Sequence, residues 1–227
     1  GDAAARRRLW ARSGVLTDLV STTCAAVGVA PASNEPAADD AGEQGGSWQR
    51  AAREGVPVHV TARDLRRHPD AWMAAVDAWP AVLVVASPLL LDAVADRFAG
   101  RVAAVCTDGA PGPVALDLLA RLRAAGATLR FLADFDQAGI AVGAQLAQRL
   151  GAAPWRMSAE VYRRSARSDL PPLGGRLDEV PWAPGLAAAM AQAGRSVPVE
   201  QLIDEVLADL EAELATPSGT QARAEGH

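Results

Sequence analysis

Residues 128–139 read Thr-Leu-Arg-Phe-Leu-Ala-Asp-Phe-Asp-Gln-Ala-Gly. A mostly apolar run to Ala133 meets Asp134, Phe135 and Asp136 without an intervening turn. The pattern predicts a buried strand over Thr128–Ala133 and a helix from Asp136 to Leu150, stopped by Gly151. The same alternation precedes it. Ala81 to Ala86 is a continuous apolar run, as expected of a strand buried on both faces. Pro88 opens a helix to about Phe98, since Pro is tolerated early in a helix. Val102–Thr107 is a second strand, and Asp108–Pro113 is a turn. Val114–Ala125 is an amphipathic helix with Leu118, Leu119 and Leu122 on one face, closed by Gly126. Pro154–Met157 is a short fourth strand. Strands alternating with helices at this spacing predict an α/β fold, a parallel four-stranded sheet flanked by helices with right-handed crossovers.

Ala3–Ser13 reads as an N-terminal helical segment rich in Ala and Arg, with Gly14 as its stop. Asp18–Gly28 mixes small and β-branched residues and gives no clear period. Pro31–Gly46 is Ala, Asp, Glu, Gly and Pro, the composition of a linker. Val56–Val60 is a short strand, and Thr61 caps a helix through Arg67 with an imperfect capping box. Arg163–Pro181 is polar and rich in Pro and Gly, so a loop is expected. Pro184–Ala193 and Val199–Leu214 are C-terminal helices, and the tail from Thr216 is expected to be disordered. The organisation expected is the end of a preceding region (1–30), a flexible linker (31–47), a connecting segment (48–79), the α/β unit with its C-terminal helices (80–214) and a tail (215–227).

The chain has 227 residues, half of them hydrophobic, enough to bury a real core. No run of about 18 apolar residues occurs, so no membrane span is expected. The sequence opens Gly1-Asp2 and has no signal-peptide pattern, which reads as a segment of a cytoplasmic protein. Cys24 and Cys106 are too few for a disulfide scaffold or a zinc site. The net charge of −5 argues against electrostatic coating of nucleic acid, though not against a local basic patch. All 22 basic residues are arginines. Without lysine there is no P-loop and no Schiff-base chemistry.

Asp134 and Asp136 follow a strand end, and in open parallel sheets ligands bind at the carboxyl ends of the strands. Two carboxylates at i and i+2 can face one crevice. Mg²⁺ takes few carboxylates together with waters and phosphate oxygens, and would stabilise an attacking or leaving oxygen at phosphorus. A second reading makes Asp136 a helix cap bonded to Gly139. For a bare Asp-x-Asp the two readings weigh equally. The pattern also resembles the first motif of haloacid-dehalogenase-like phosphatases. That family places Thr or Val where Ala138 stands and uses a downstream Lys, which this chain lacks. Receiver domains rank low for the same missing Lys.

The context adds specificity. Cys106-Thr-Asp-Gly-Ala-Pro111, Leu118-Leu119-Ala-Arg-Leu122, Ala125-Gly126-Ala127, Asp134-Phe-Asp136, Gly139 and Ala153-Pro-Trp-Arg-Met-Ser158 form a motif string. It resembles the C-terminal Toprim-like domain of JetD proteins, the nuclease subunits of Wadjet plasmid-defence systems. Leu9-Trp10, Gly14-Val15, Asp18 and Ser21 resemble the segment before that domain. Trp182 to Met190 and Glu200 resemble its end. The resemblance implies a Toprim-like sheet and metal-dependent DNA cleavage with Mg²⁺ or Mn²⁺. It implies Asp134 and Asp136 as metal ligands, circular plasmid DNA as substrate, an SMC-type motor complex as partner, and a homodimer.

The family's Glu-Asn-Pro after the first strand is here Ala86-Ser87-Pro88, and no Glu occurs between Glu54 and Glu160. A positioned acid/base group contributes on the order of 10²–10⁴ in rate, so this departure bears on competence. Glu200 is the first candidate to replace it, as a catalytic carboxylate, and Asp108 the second. Three functions follow: a metal-dependent DNA endonuclease, impaired or not at Ala86; a non-catalytic Toprim-like module that binds DNA or partner subunits; and a phosphatase-like hydrolase. His59 and His68 read as ordinary surface or half-buried side chains. Arg156 reads as an ion pair more than a phosphate contact, and Arg6-Arg7-Arg8 as a solvated helix face. Trp10, Trp72 and Trp79 sit among Ala and Val, which suggests packing.

Overall fold

The computed structural model describes residues 19–32, 46–69, 72–74, 79–175, 177 and 179–216. In chain order the elements before the expected α/β unit are β1 (Thr23–Val27), β2 (Val29–Pro31), α1 (Ser47–Glu54), β3 (Val58–Thr61), α2 (Ala62–Arg67) and β4 (Trp72–Ala74). Then come β5 (Val82–Val85), α3 (Pro88–Phe98), β6 (Ala103–Cys106), α4 (Pro113–Ala124), β7 (Leu129–Leu132), α5 (Gln137–Leu150) and β8 (Ala153–Pro154). The C-terminal part holds α6 (Ala159–Ser165), α7 (Leu186–Ala193), a 3₁₀ turn (Val199–Leu202) and α8 (Ile203–Ala215).

The main sheet has the order β3-β1-β6-β5-β7-β8. Its parallel part, β6-β5-β7-β8, is the four-stranded sheet expected, with an order and helix cover compatible with a Toprim-like α/β unit. The two central pairings share one register: Val82 faces both Ala103 and Leu129. Every residue of β5 and β6 is buried, the signature of strands covered by helices on both faces. The chain crosses from β5 to β6 on one side and from β6 back over β5 to β7 on the other, so crossovers of the usual right hand put α3 and α4 on opposite faces. α8 packs beside α3, and α5 beside α4.

The sheet is wider than expected. β1 adds antiparallel to β6, pairing Ala26 with Val105, and β3 adds antiparallel to β1. The stretch Asp18–Gly28, which lacks a legible period, therefore supplies an internal strand. β2 and β4 form a separate two-stranded ribbon. A second difference lies after β8. Arg163–Ser165, expected in a loop, complete α6, because Tyr162 and Ser165 are buried and Ser158 caps the helix by accepting from the Val161 N–H. The capping box at Thr61 is complete: Asp64 donates its N–H to the Thr61 hydroxyl and accepts from the Thr61 N–H.

The helix at Ala3–Ser13, Arg6–Arg8, Trp10, most of the Pro31–Gly46 linker and the tail beyond Thr216 lie outside the described residues. Among the described residues, no helix is long and apolar enough to cross a membrane.

Candidate functional site at the carboxyl end of the sheet

Four strand ends define the crest. Ala86 follows β5, Thr107 and Asp108 follow β6, Ala133 and Asp134 follow β7, and Trp155 and Arg156 follow β8. β5 lies between β6 and β7, so Ala86 stands between Asp108 and Asp134.

Asp134-Phe135-Asp136 stays extended beyond β7. Successive side chains then alternate, so Phe135 points opposite to the two aspartates. Phe135 is fully buried and packs on Tyr162, with ring centroids 5.5 Å apart. Its backbone forms a two-way antiparallel bridge with Val197: the Phe135 N–H donates to Val197 O at 2.9 Å, and the Val197 N–H donates to Phe135 O at 3.2 Å. Two residues later the Val199 N–H donates to Asp134 Oδ1 at 2.7 Å. A distant segment is thus joined to the Asp-Phe-Asp stretch by an isolated antiparallel bridge, and it runs on into the 3₁₀ turn that carries Glu200.

Asp136 caps α5, with Oδ1 accepting from the Gly139 N–H at 2.7 Å and φ, ψ of −144° and −179°. The cap uses one carboxylate oxygen and leaves the other. Gly139 is required by close approach: a Cβ there would lie 2.1 Å from Asp134 O. The helix start therefore packs directly on the backbone that carries Asp134.

The Asp134 carboxyl responds to its burial and to its neighbours. Burial pushes the Asp134 carboxyl above its usual range, the Val199 N–H pulls it back, and the negative charges of Glu200 and Asp136 add to the rise. Asp134 and Asp136 are half-buried, and Glu200 is exposed. All three are oxygen donors of the hard type that Mg²⁺ and Mn²⁺ take. Among the described residues, no three His, Cys, Asp or Glu side chains are grouped as a metal cage. A site here would be of the two-carboxylate, water-rich kind.

Ala86 is half-buried, and its carbonyl accepts from the Gly109 N–H at 3.1 Å. Thr107 holds this loop by donating its hydroxyl to Gly109 O at 2.8 Å. Asp108 is exposed, with a left-handed backbone at φ 51°, and is not among the charges acting on Asp134. His59 is exposed on β3, the sheet edge farthest from β8, and His68 stacks edge-on against Trp72 at 6.3 Å. Trp72 and Trp79 are buried, as packing residues should be. Arg156 makes ion pairs with Glu205 and Asp209. A groove of about 540 Å³ lined by Leu173, Glu179, Ala187 and Ala191 touches none of Asp108, Asp134, Asp136 and Glu200.

Sequence reasoning missed the 197–199 backbone; it reached Gly139 as a cap partner and motif residue, but not its close approach to Asp134. The first has no side-chain signature, because any residue but proline supplies an N–H. The second had one: a glycine three residues after a capping Asp, where a helix start meets a strand exit. No curated protein matches the sequence. Residues 58–210, more than half of the chain, match the family model described as "Protein of unknown function C-terminus (DUF2399)", and the chain belongs to that family.

Proposed function

We propose that this chain is the Toprim-like module of a JetD-type DNA endonuclease, using Mg²⁺ or Mn²⁺ to cut circular plasmid DNA beside an SMC-type motor complex, as a homodimer. One observation carries the reading: the Val199 N–H bonds Asp134 Oδ1, which brings the segment that carries Glu200 to the strand end of Asp134 and Asp136 although it is remote in sequence. The motif string around Asp134 and membership of the DUF2399 family support it further. A divalent cation held by Asp134 and Asp136 with water would neutralise a phosphodiester and stabilise its leaving oxygen. Glu200 is exposed and free to take the proton of an attacking water. Asp136 also fixes the start of α5, so its role as cap and its role as ligand coexist on different oxygens.

A second reading, a non-catalytic module that binds DNA or partner subunits, is favoured by Ala86. The β5 end offers a methyl group where a Toprim site places a carboxylate. Plasmid nicking with Mg²⁺ or Mn²⁺ by the unaltered chain and by Ala86→Glu separates the two. Nicking by the unaltered chain that is lost in Glu200→Gln and kept in Asp108→Asn assigns Glu200 the missing role. Nicking gained only in Ala86→Glu marks an impaired nuclease. If neither form cuts and Asp134→Ala leaves Mn²⁺ affinity unchanged, the nuclease reading is wrong. Turnover of a small phosphate monoester would point to a phosphatase-like hydrolase instead.

A further inference from the structure

Arg156 stands on the same crest as Asp134, one strand over. Its backbone is left-handed at φ 57°, a region that side chains with a Cβ rarely adopt. The side chain is 9% exposed. Nη2 donates to Glu205 Oε2 at 2.9 Å, and Nη1 pairs with Asp209 Oδ2. Nε is buried without a partner. An unusual backbone and an unsatisfied buried donor persist only where the surroundings over-determine them. The two carboxylates are four residues apart on α8, so a single guanidinium fork grips one full turn of that helix.

What this grip controls lies just upstream. α8 runs on directly from the Val199–Leu202 turn, whose first residue bonds Asp134 and whose second is Glu200. The other ion pairs of α8, Arg97 with Glu211 and Arg130 with Glu213, hold its far end. Val206 and Leu210 give it a buried face, continued upstream by Leu202 of the turn. Apolar packing of that kind tolerates small rotations and slides; a two-pronged ion pair near the start of the helix does not.

We propose that Arg156 is the positioning residue of the acidic cluster: through Glu205 and Asp209 it fixes the start of α8, and so sets Val199 against Asp134 and Glu200 beside it. The inference rests on reading Asp134, Asp136 and Glu200 as one site. Neither Arg156 nor its partners touch a reacting group.

The test is amide hydrogen exchange on the metal-free full chain. It compares Arg156→Met with the double variant Glu205→Gln, Asp209→Asn, which alters only half-exposed side chains. The Val199 amide should exchange about tenfold faster in both, while Val84 and Phe131 in the sheet stay protected. Mn²⁺ affinity should fall by about tenfold in step. Exchange at Val199 within about twofold of the parent in both variants overturns the proposal. So does a uniform rise that includes Val84, which would make Arg156 a general packing residue. The two claims separate cleanly. A parent chain that binds no Mn²⁺ sinks the nuclease reading, while localised release of Val199 still upholds the role of Arg156.

Discussion

Val199 and Asp134, 65 residues apart in the chain, are joined by a 2.7 Å hydrogen bond from main-chain N–H to carboxylate. That bond stabilises the charged form of Asp134, yet burial and the charges of Glu200 and Asp136 outweigh it. The balance fixes the sign of a pH effect. A carboxyl whose pKa is raised by folding binds more protons in the native state than in the unfolded one. Stability then falls as pH rises from the ordinary aspartate value of 3.8 through the raised one. Asp134→Asn keeps an oxygen acceptor for Val199 and removes the charge. It should be more stable than the parent at pH 7, with the gain gone below pH 3.8. Denaturant midpoints at the two pH values check this. A less stable Asp134→Asn at pH 7 would contradict it.

Asp136 has two roles that two substitutions separate. Asp136→Asn retains a capping oxygen for the Gly139 N–H and should cost under about 0.5 kcal/mol, whereas Asp136→Ala should cost about 1 kcal/mol. Both should weaken Mn²⁺ binding if the second oxygen is a ligand. Calorimetric titration with Mn²⁺ alongside thermal melts reads both effects. Equal metal affinity in all three proteins would leave Asp136 as a cap alone.

Gly139→Ala places a methyl group against Asp134 O, where a Cβ would lie at 2.1 Å. Backbone is the obstacle, so no rotamer change relieves it. The expected loss is about 1–3 kcal/mol, as for overpacking elsewhere. The chemical shifts of Asp134 and Phe135 should move more than those of β5. A fully stable Gly139→Ala would mean that the start of α5 yields freely.

Glu213 anchors the far end of α8. It accepts from the indole N–H of Trp79 at 3.0 Å and of Trp155 at 2.9 Å, and pairs with Arg130 at 2.8 Å. Burial alone would push its carboxyl up, but the two indoles and Arg130 hold it below its usual range. Its contribution is therefore present above the ordinary glutamate value of 4.5 and lost as pH falls through the depressed one. Glu213→Ala strands two partly buried donors and should cost about 2 kcal/mol. A change in tryptophan fluorescence should accompany the loss. Glu213→Gln, which keeps an acceptor, should fall between the two.

The parallel core was legible because its strands are short apolar runs with clear helix starts after them: Ser87-Pro88 after Val82–Val85, and Gly112-Pro113 beyond Ala103–Cys106. Thr23–Val27 was not legible. Its small residues carry neither alternation nor a long apolar run, and its extended state comes from lying between β3 and β6. Arg163–Ser165 read as loop because three of the five residues from Arg163 to Arg167 are arginines. The two arginines of α6, Arg163 and Arg164, belong to its last turn, while Tyr162 and Ser165 secure the helix from inside. Within the candidate site, Asp134 and Asp136 stood out by following a strand at once. Glu200 was reached only through resemblance. The bond from Val199 and the Phe135–Val197 bridge are main-chain interactions, which no side-chain pattern announces.

The return of the Val197–Glu200 segment to Phe135 has a consequence for the order of assembly. β5 meets β6 over a single helical crossover, Val82 beside Ala103, and meets β7 over two, Val82 beside Leu129, whereas Val199 meets Asp134 across 65 residues. Loop closure costs more, and pairing comes later, as the separation grows. Pulse-labelled refolding should find the Phe131 amide shielded before that of Val199. A chain emerging from the ribosome would thus carry a folded sheet while its acidic residues were still apart, and would gain its charge cluster only on completing α8.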